Sequence, residues 1–561
     1  MKLLKTTYRS LLADVSRLSQ LSEIRGMDYD LPWIINDAPK LEKHVLECIE
    51  NRALPDLDMF PVQLHRLVVG SFVDPIKLRL LRQLLLFAKK ALVQHDQTTT
   101  EASFKTFAQT NNENQGWFIR FSDNPLLGLV RCYIRHTLKR FDGKDIRPFH
   151  GPGASTTPKI GAWRKWYDAI EYIYPYSDYF SLYQNREQLE QFKDITDEHI
   201  TAKLIAVPKD SGGPRLICVH PAEAIWIQQG LRIELERVIS RSGSSQYPGP
   251  KGHVHFDDQS VNGTHALNSS LSRKYATIDM KEASDRISEV LVQLLFGEHY
   301  KYFGCCRAQK YCYKSSTGIL VEDDLHCYAP MGNATTFPVQ SLVFWAICCA
   351  SMRRQGFHQP DDVYVFGDDI IVPTECAEKV IDDLESFGLR VNRSKSFYRG
   401  AFRESCGVDA YKGIDVTPVR WRLGTDTESL RSLQALSDLG MRLRMSGFEE
   451  SAVTVFDHIS KQHYHQGFGK LGLTNNPDHG GIAEYCLNEF HVWRDADWRP
   501  DHQWFSTRVT RVLDIEDKSS IWGWNPVLES VLSLERSARS NVPNRAVSRR
   551  QVPIRGWTTV L

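Results

Sequence analysis

Residues 362 to 372 read Asp-Val-Tyr-Val-Phe-Gly-Asp-Asp-Ile-Ile-Val, and this stretch constrains the fold more tightly than any other. Val363, Val365, Ile370 and Val372 favour strand, while a glycine followed by two aspartates favours a tight turn. The segment therefore reads as a β-hairpin carrying Asp368 and Asp369 at its tip. Two adjacent acids repel each other. Divalent cations offset that repulsion, because hard oxygen ligands are what Mg²⁺ requires and each ion neutralises the carboxylates that hold it. A solvated turn is the plainer reading of Gly-Asp-Asp in isolation, since both residues are ordinary in turns.

A metal pair needs a third carboxylate from another element, and residues 274 to 288 supply one. Tyr275, Ala276, Thr277 and Ile278 make a short buried strand that delivers Asp279 at its C-terminal end. Ile287, Val290, Leu291, Leu294 and Leu295 then fall at helical spacing, so the chain turns into an amphipathic helix just after Asp285. Asp285 has an alternative role as the N-cap of that helix. Further on, Pro330-Met331-Gly332-Asn333-Ala334-Thr335-Thr336-Phe337-Pro338 reads as a loop, followed by an apolar helix from Ser341 to about Met352. Strand, helix, glycine loop, buried helix and acidic hairpin is the order of a polymerase palm.

At this point the chain resembles the RNA-directed RNA polymerases, most closely the replicase β subunits of the single-stranded RNA bacteriophages, the levivirus group. Motif A is carried by Ile278-Asp279 through Ala283-Ser284-Asp285, motif B by Met331-Gly332-Asn333 with Thr336-Phe337, and motif C by Phe366-Gly367-Asp368-Asp369. Phe402-Arg403-Glu404-Ser405-Cys406-Gly407 with Asp415-Val416 is similar to motif E, and His150-Gly151-Pro152-Gly153-Ala154 lies upstream. Lys203 through Lys209, with Gly212-Gly213-Pro214-Arg215-Leu216-Ile217, resembles motif F. There are departures. Phage replicases often have Tyr where this chain has Phe366. Many positive-strand viral polymerases place Ser before the motif B glycine and Asn four residues after its threonine, where this chain has Met331 and Gln340.

The resemblance implies an α+β right-hand fold of fingers, palm and thumb, with an antiparallel-sheet palm and a helical periphery. It implies template-directed RNA synthesis on two Mg²⁺ ions, which Mn²⁺ can replace, held by Asp279, Asp368 and Asp369 roughly 3.5–4 Å apart. Asp368 would be the stronger ligand of the hairpin pair. Lys209 and Arg215 would meet the triphosphate, Arg215 through bidentate contacts. Asp285 and Asn333, with Thr336 as a third candidate, would select the ribose by exchanging hydrogen bonds with its 2′-hydroxyl. Asn333 could instead only stabilise its loop. Lys395, after a strand from Leu389 to Val391, fits motif D as a proton donor to departing pyrophosphate, the alternative being a solvated lysine. Implied partners are an RNA template and product, ribonucleoside triphosphates, host elongation factors Tu and Ts, and a ribosomal RNA-binding protein. Initiation would be primer-independent, at a C-rich template end.

Composition agrees with a large enzyme without naming one. With 561 residues, 42% of them hydrophobic, several subdomains can each bury a core. The formal net charge is only +1, so cations that meet RNA must be locally concentrated and offset elsewhere. The twelve cysteines include no Cys-x-x-Cys pair, which gives no zinc signature and fits reduced thiols. The amino terminus lacks a signal-peptide core, and the run from Leu342 to Ala350 is too short to span a bilayer. The expected location is the cytoplasm of a bacterial host, away from membranes.

Residues 1–140 read as a mostly helical region packing on the fingers, with Leu3, Leu4, Tyr8, Leu11, Leu12 and Val15 on one face and a helix from Leu78 to Leu92. Residues 97–115 are polar and read as a loop. Residues 141–265 read as fingers, 266–420 as palm, and 421–561 as a helical thumb and C-terminal region. Arg536, Arg539, Arg545, Arg549, Arg550 and Arg555 make a basic, Ser/Pro-rich tail, solvated or touching RNA.

Three other classes compete. A reverse transcriptase shares the palm acids, but that family generally sets a bulky aromatic after its motif A acid and a residue other than Gly before Asp-Asp. A non-catalytic RNA-binding scaffold would tolerate loss of an acid, and all three are present. A two-metal nuclease or phosphatase would not need the motif E and F elements.

Overall fold

The acidic hairpin forms as its sequence demands. In a computed structural model describing residues 1–91, 95–117, 121–151, 153–157, 173, 175–176, 200–210, 212–243, 249–357, 362–499, 504–516 and 549–560, the architecture is α+β. In chain order the first helices are α1 (Lys2–Ser19), α2 (Ala38–Asn51), α3 (His65–Ser71), α4 (Pro75–Leu86), α5 (Gln97–Glu113) and α6 (Leu127–Thr137). Strands β1 (Thr201–Asp210) and β2 (Gly213–Val219) follow, then α7 (Ala222–Arg241), α8 (Ser260–Ser272), β3 (Tyr275–Asp279), α9 (Ala283–Arg286) and α10 (Glu289–Phe296). Next come α11 (Tyr300–Gly304), β4 (Lys310–Lys314), β5 (Leu320–Asp324), α12 (Thr336–Arg354), β6 (Tyr364–Phe366), β7 (Asp369–Pro373) and α13 (Ala377–Ser386).

The central sheet has the order β3-β7-β6, all antiparallel. Its floor is α12, which is apolar around its whole circumference and therefore has to be buried on every side. The helix begins at Thr336, five residues before the expected start. A second sheet, β2-β1-β4-β5, carries the expected motif F hairpin as its β1–β2 pair. A third, β10-β9-β8, is made from β8 (Phe402–Ser405), β9 (Val408–Tyr411) and β10 (Ile414–Asp415), the motif E segment.

Several expectations are corrected. Residues 97–115 form α5 rather than a loop over most of their length, because Asp96 caps the helix by accepting from the Thr99 N–H at 2.7 Å. Phe104 and Phe107 then bury a one-turn stripe against Tyr313 and Tyr311, at 4.4 and 5.1 Å between ring centroids. The leucine-rich helix stops at Leu86, where successive turns close between Lys89 and Leu86 and between Ala91 and Ala88; Leu92 lies outside the described residues. Leu389 to Val391 is not a strand, since only Val391 pairs, through a single bridge to Met280. Asp285 lies inside α9, and the cap of α10 is Ser288, whose Oγ accepts from the Leu291 N–H at 3.1 Å.

Helices α1, α2 and α4 do not join the core of the β3-β7-β6 sheet. They share a second core with the motif E strands, α14 (Leu430–Met445) and α15 (Glu449–His465). The chain after Pro418 is also not helical throughout. Beyond α15 it pairs β11 (Leu473–Thr474) with β12 (Glu484–Tyr485), and builds a sheet of β13 (Asp497–Arg499), β14 (Trp504–Glu516) and β15 (Arg549–Thr559). The tail residues Arg549, Arg550 and Arg555 lie on β15, whereas Arg536, Arg539 and Arg545 fall outside the described residues, as does Pro152 of the upstream motif. No helix among the described residues is long and apolar enough to cross a membrane.

Candidate active site

Register brings the acids together. Asp279 ends β3 directly opposite Asp369 at the start of β7, and Asp369 in turn pairs with Phe366 across the hairpin. Gly367 and Asp368 make the turn. Gly367 adopts φ 63°, and a Cβ there would meet Phe337 Cε2 at 2.5 Å, so both backbone and space exclude a side chain. Phe337 belongs to the first turn of α12 and packs edge-on against Phe366 at 5.2 Å, which locks the motif B helix onto the motif C turn.

Burial and mutual repulsion set the electrostatics. The Asp369 carboxyl is pushed up to about 7, first by burial and then by Asp368 and Asp279. Asp279 is also raised, chiefly by burial, with Lys395 acting against the shift and Asp368 with it. Carboxylates so placed are short of positive charge. Among the described residues no three His, Cys, Asp or Glu side chains are grouped so that they could hold a metal ion together; the carboxylate oxygens of Asp279 and the facing Asp369 are nonetheless the hard donors that a divalent cation such as Mg²⁺ takes.

Of the cations expected from motifs D and F, Lys209 and Lys395 interact electrostatically with Asp279. Burial depresses the Lys209 ammonium, Arg215 adds to the shift, and Asp210 and Asp279 oppose it. Arg215 stands on β2 across from Val207 of β1. Lys395 lies on a short 3₁₀ turn, Arg393–Lys395, and its ammonium is raised first by the Glu404 carboxylate and also by Asp279 and Asp369. Glu404, across β8–β9 from Asp409, is itself pushed up to about 7 by burial.

Among the residues expected to select the ribose, Asn333 is 5% exposed; its Oδ1 accepts from the Thr335 N–H and hydroxyl, both at 2.8 Å, while its buried Nδ2 has no partner. Gln340 is also buried, with an unpaired Oε1. The Thr336 hydroxyl donates to the Ala329 carbonyl at 3.0 Å and so shapes the loop. Burial pushes the Asp285 carboxyl up to about 6, and Ser284 Oγ donates to it at 3.0 Å. Gly332 fastens the loop to motif F: at φ 122° its Cβ would lie 2.0 Å from the Cys218 carbonyl oxygen, and the Cys218 N–H donates to the Met331 carbonyl at 2.8 Å.

Sequence reasoning missed the residues that hold the acids. Asn392 Nδ2 donates to Asp279 Oδ2 at 2.8 Å, and the Asp279 N–H donates to Ser396 Oγ at 3.1 Å. The Cys406 N–H donates to Asp369 Oδ2 at 3.1 Å, and Asn262 Nδ2 to the Asp369 carbonyl at 3.2 Å. Nothing local in Asn-Arg-Ser-Lys signals such a role. It arises because residues 391 to 397 run beside β3, bridged at Met280–Val391 and Thr277–Phe397.

Residues 175–439 match the family model described as RNA replicase, beta-chain. The match covers just under half of the chain. The chain is 34% identical over 216 residues to the RNA-directed RNA polymerase beta chain of Escherichia phage MS2, covering 38% of this chain and 36% of that protein. It is 31% identical over 240 residues to the RNA-directed RNA polymerase subunit beta of Qbeta virus (strain MX1), covering 42% of this chain and 38% of that protein. These alignments thus span little more than a third of the length of the relatives. A solved structure, the RNA-dependent RNA polymerase of a human picorbirnavirus, aligns at TM-score 0.31 and 14% identity over 48% of this chain and 60% of that one. The replicase match contains Asp279, Asp368 and Asp369, and also Lys209, Arg215, Asp285, Asn333, Thr336 and Lys395.

Proposed function

We propose that this chain is an RNA-directed RNA polymerase that replicates a phage RNA genome by two-metal nucleotidyl transfer. The observation that carries the reading is the pairing of Asp279 with Asp369 beside Asp368, inside the segment that matches the replicases. Asp279, Asp368 and Asp369 would hold Mg²⁺, which when bound supplies an activated 3′-hydroxyl and charge neutralisation for the leaving pyrophosphate. Asn392 and the Cys406 N–H orient two of those carboxylates before any ligand arrives. Lys209 and Arg215 attract and align the triphosphate. Lys395, kept protonated by Glu404 and the aspartates, gives up its proton to pyrophosphate. Asp285 and Asn333 read the 2′-hydroxyl. The test is incorporation of labelled ribonucleotides on an RNA template with Mg²⁺, where template-independent incorporation or none would sink the reading.

Initiation without a primer at a C-rich end, Mn²⁺ substitution, action in the bacterial cytoplasm, and association with elongation factors Tu and Ts and a ribosomal RNA-binding protein belong to the same proposal. They rest on the replicase resemblance. A pull-down from host lysate lacking both elongation factors would remove that part of it.

Lys209→Ala and Arg215→Ala should each raise the KM for nucleotides more than they lower kcat, since both cations meet a bound phosphate chain. Unchanged nucleotide kinetics in both variants would move triphosphate recognition elsewhere. Asn392→Ala should raise the Mg²⁺ needed for half-maximal synthesis on the order of tenfold, for a charge-assisted hydrogen bond of roughly 1.5 kcal/mol. It should also reduce the thermal stabilisation that Mg²⁺ confers, and a metal titration identical to that of the parent protein would count against the role.

Ribose selection has a two-variant test. If the unpaired Asn333 Nδ2 meets the 2′-hydroxyl, Asn333→Ala should lower ribo- over deoxyribonucleotide preference by about 0.5–1.5 kcal/mol while Gln340→Ala leaves it nearly constant. The opposite pattern would transfer the role to Gln340, whose buried Oε1 is also unpaired.

A further inference from the structure

A short strap following β10, Pro418-Val419-Arg420-Trp421-Arg422-Leu423, is pinned to α4 and the turns after it. Gln83 Nε2 donates to the Val419 carbonyl and the Val419 N–H donates to Gln83 Oε1, both at 2.8 Å. The Trp421 N–H donates to the Phe87 carbonyl at 2.7 Å. Trp421 is fully buried, with its ring edge-on to Phe87 at 6.2 Å. Burial alternates along the strap: Trp421 and Leu423 point inward, whereas Arg422 is exposed and Arg420 is half-buried. The anchor therefore fixes where two guanidinium groups leave the surface.

Lys90, three residues beyond Phe87, completes a cluster. Its ammonium is held below the usual lysine range by burial first, and then by Arg420 and Arg422, with Asp210 at the end of β1 acting the other way and Lys395 adding to the depression. Lys90 thus lies within electrostatic range of Lys395 and of Asp210, the neighbour of Lys209 on β1. Counter-charge is scarce. Arg420 Nη2 lies 3.3 Å from Asp409 Oδ2, a carboxylate already paired with Arg82 at 3.0 Å, and Arg420 Nε is buried without a partner. Among the described residues neither Lys90 nor Arg422 has a carboxylate within ion-pair distance.

Three cations gathered in partly desolvated surroundings, with Asp210 acting on Lys90 and Asp409 shared between Arg420 and Arg82, repel one another unless a further anion is bound. Two arginine forks and an ammonium suit tetrahedral phosphate. We propose that Lys90, Arg420 and Arg422 form a phosphate-binding site at the rim of the catalytic cleft, separate from Lys209 and Arg215. Its ligand class is the phosphate chain of RNA or of a free polyphosphate, a choice that rests on the polymerase reading.

The test uses the full chain without turnover. Lys90→Gln/Arg422→Gln removes two cations that hold no ion pair, so the fold should melt as in the parent protein. Binding of a labelled single-stranded RNA is followed by anisotropy across a salt series, and binding of inorganic pyrophosphate by calorimetry. Loss of at least tenfold in RNA affinity, with the salt slope falling by about 0.7 for each lost contact, assigns the site to RNA backbone. Loss confined to pyrophosphate assigns it to free polyphosphate. Unchanged binding of both ligands overturns the site. Arg420→Lys, which keeps the charge facing Asp409, should retain more binding than Arg420→Gln, and equal loss in the two would count against a phosphate contact by Arg420. Neither measurement needs synthesis, so a chain that never polymerises but loses phosphate binding in the variants would overturn the polymerase reading and leave the site standing.

Discussion

Asp368→Asn should abolish RNA synthesis while RNA binding and the thermal melt stay close to those of the parent protein. The substitution is isosteric and sits in a two-residue turn whose geometry is set by Gly367 and by Phe337, so the hairpin has no reason to unfold. What disappears is one negative charge among three carboxylates that have no full complement of cations around them. Removing it relieves repulsion on Asp369 and deprives a metal of a ligand, so stability should hold or rise slightly as activity vanishes. Asp279→Asn should act alike, because Asp279 faces Asp369 across the sheet and Asn392 is already placed to orient its side chain. Asp369→Asn should retain some synthesis, most readily with Mn²⁺. Substantial Mg²⁺-supported synthesis by Asp368→Asn would refute the two-metal assignment.

Arg82→Leu should cost about 3–5 kcal/mol of stability, the usual result of removing one partner from a buried charge network. Arg82 is 2% exposed and joins three parts of the chain: Nε donates to Glu42 on α2 at 2.8 Å, Nη2 pairs with Asp409 on β9 at 3.0 Å, and Nη1 donates to the Val416 carbonyl at 2.9 Å. Its guanidinium also lies over the Phe402 ring at 4.9 Å. Leucine would leave two carboxylates in the second core, with Arg420 the one remaining ion-pair partner of Asp409 among the described residues. Denaturant unfolding would measure the effect, and a loss below about 1 kcal/mol would show that the network relaxes without Arg82. Because β9 pairs with β8, which carries Glu404 opposite Asp409, the same variant should disturb Lys395 and lower synthesis beyond what destabilisation explains.

The parts of the site legible in sequence are those where one local pattern dictates one geometry. Alternating β-branched residues around Gly367-Asp368-Asp369 fix a hairpin, and the buried run Tyr275 to Ile278 fixes the strand that ends in Asp279. The motif F hairpin was equally visible, since apolar residues alternate on both of its strands. Roles that depend on distant chain meeting distant chain were not. Asn392 becomes an Asp279 partner only after residues 391 to 397 dock beside β3, and Glu404 acts on Lys395 only through the folded motif E hairpin. Residues 97–115 misled because their polar composition hid a two-aromatic stripe and an aspartate cap, which together suffice for a helix once β4 offers Tyr311 and Tyr313. Asp285 misled in the opposite sense. It has the composition of a cap, but Ser288, three residues on, sits where the chain enters the longer helix.

Template copying decides the central claim most directly. With a defined RNA template, the four ribonucleoside triphosphates and Mg²⁺, the full chain, supplemented with host lysate if needed, should yield RNA complementary to the template, and chelation of the metal or Asp368→Asn should remove that product. Failure to copy under those conditions, or equal copying by the parent chain and Asp368→Asn, would contradict it.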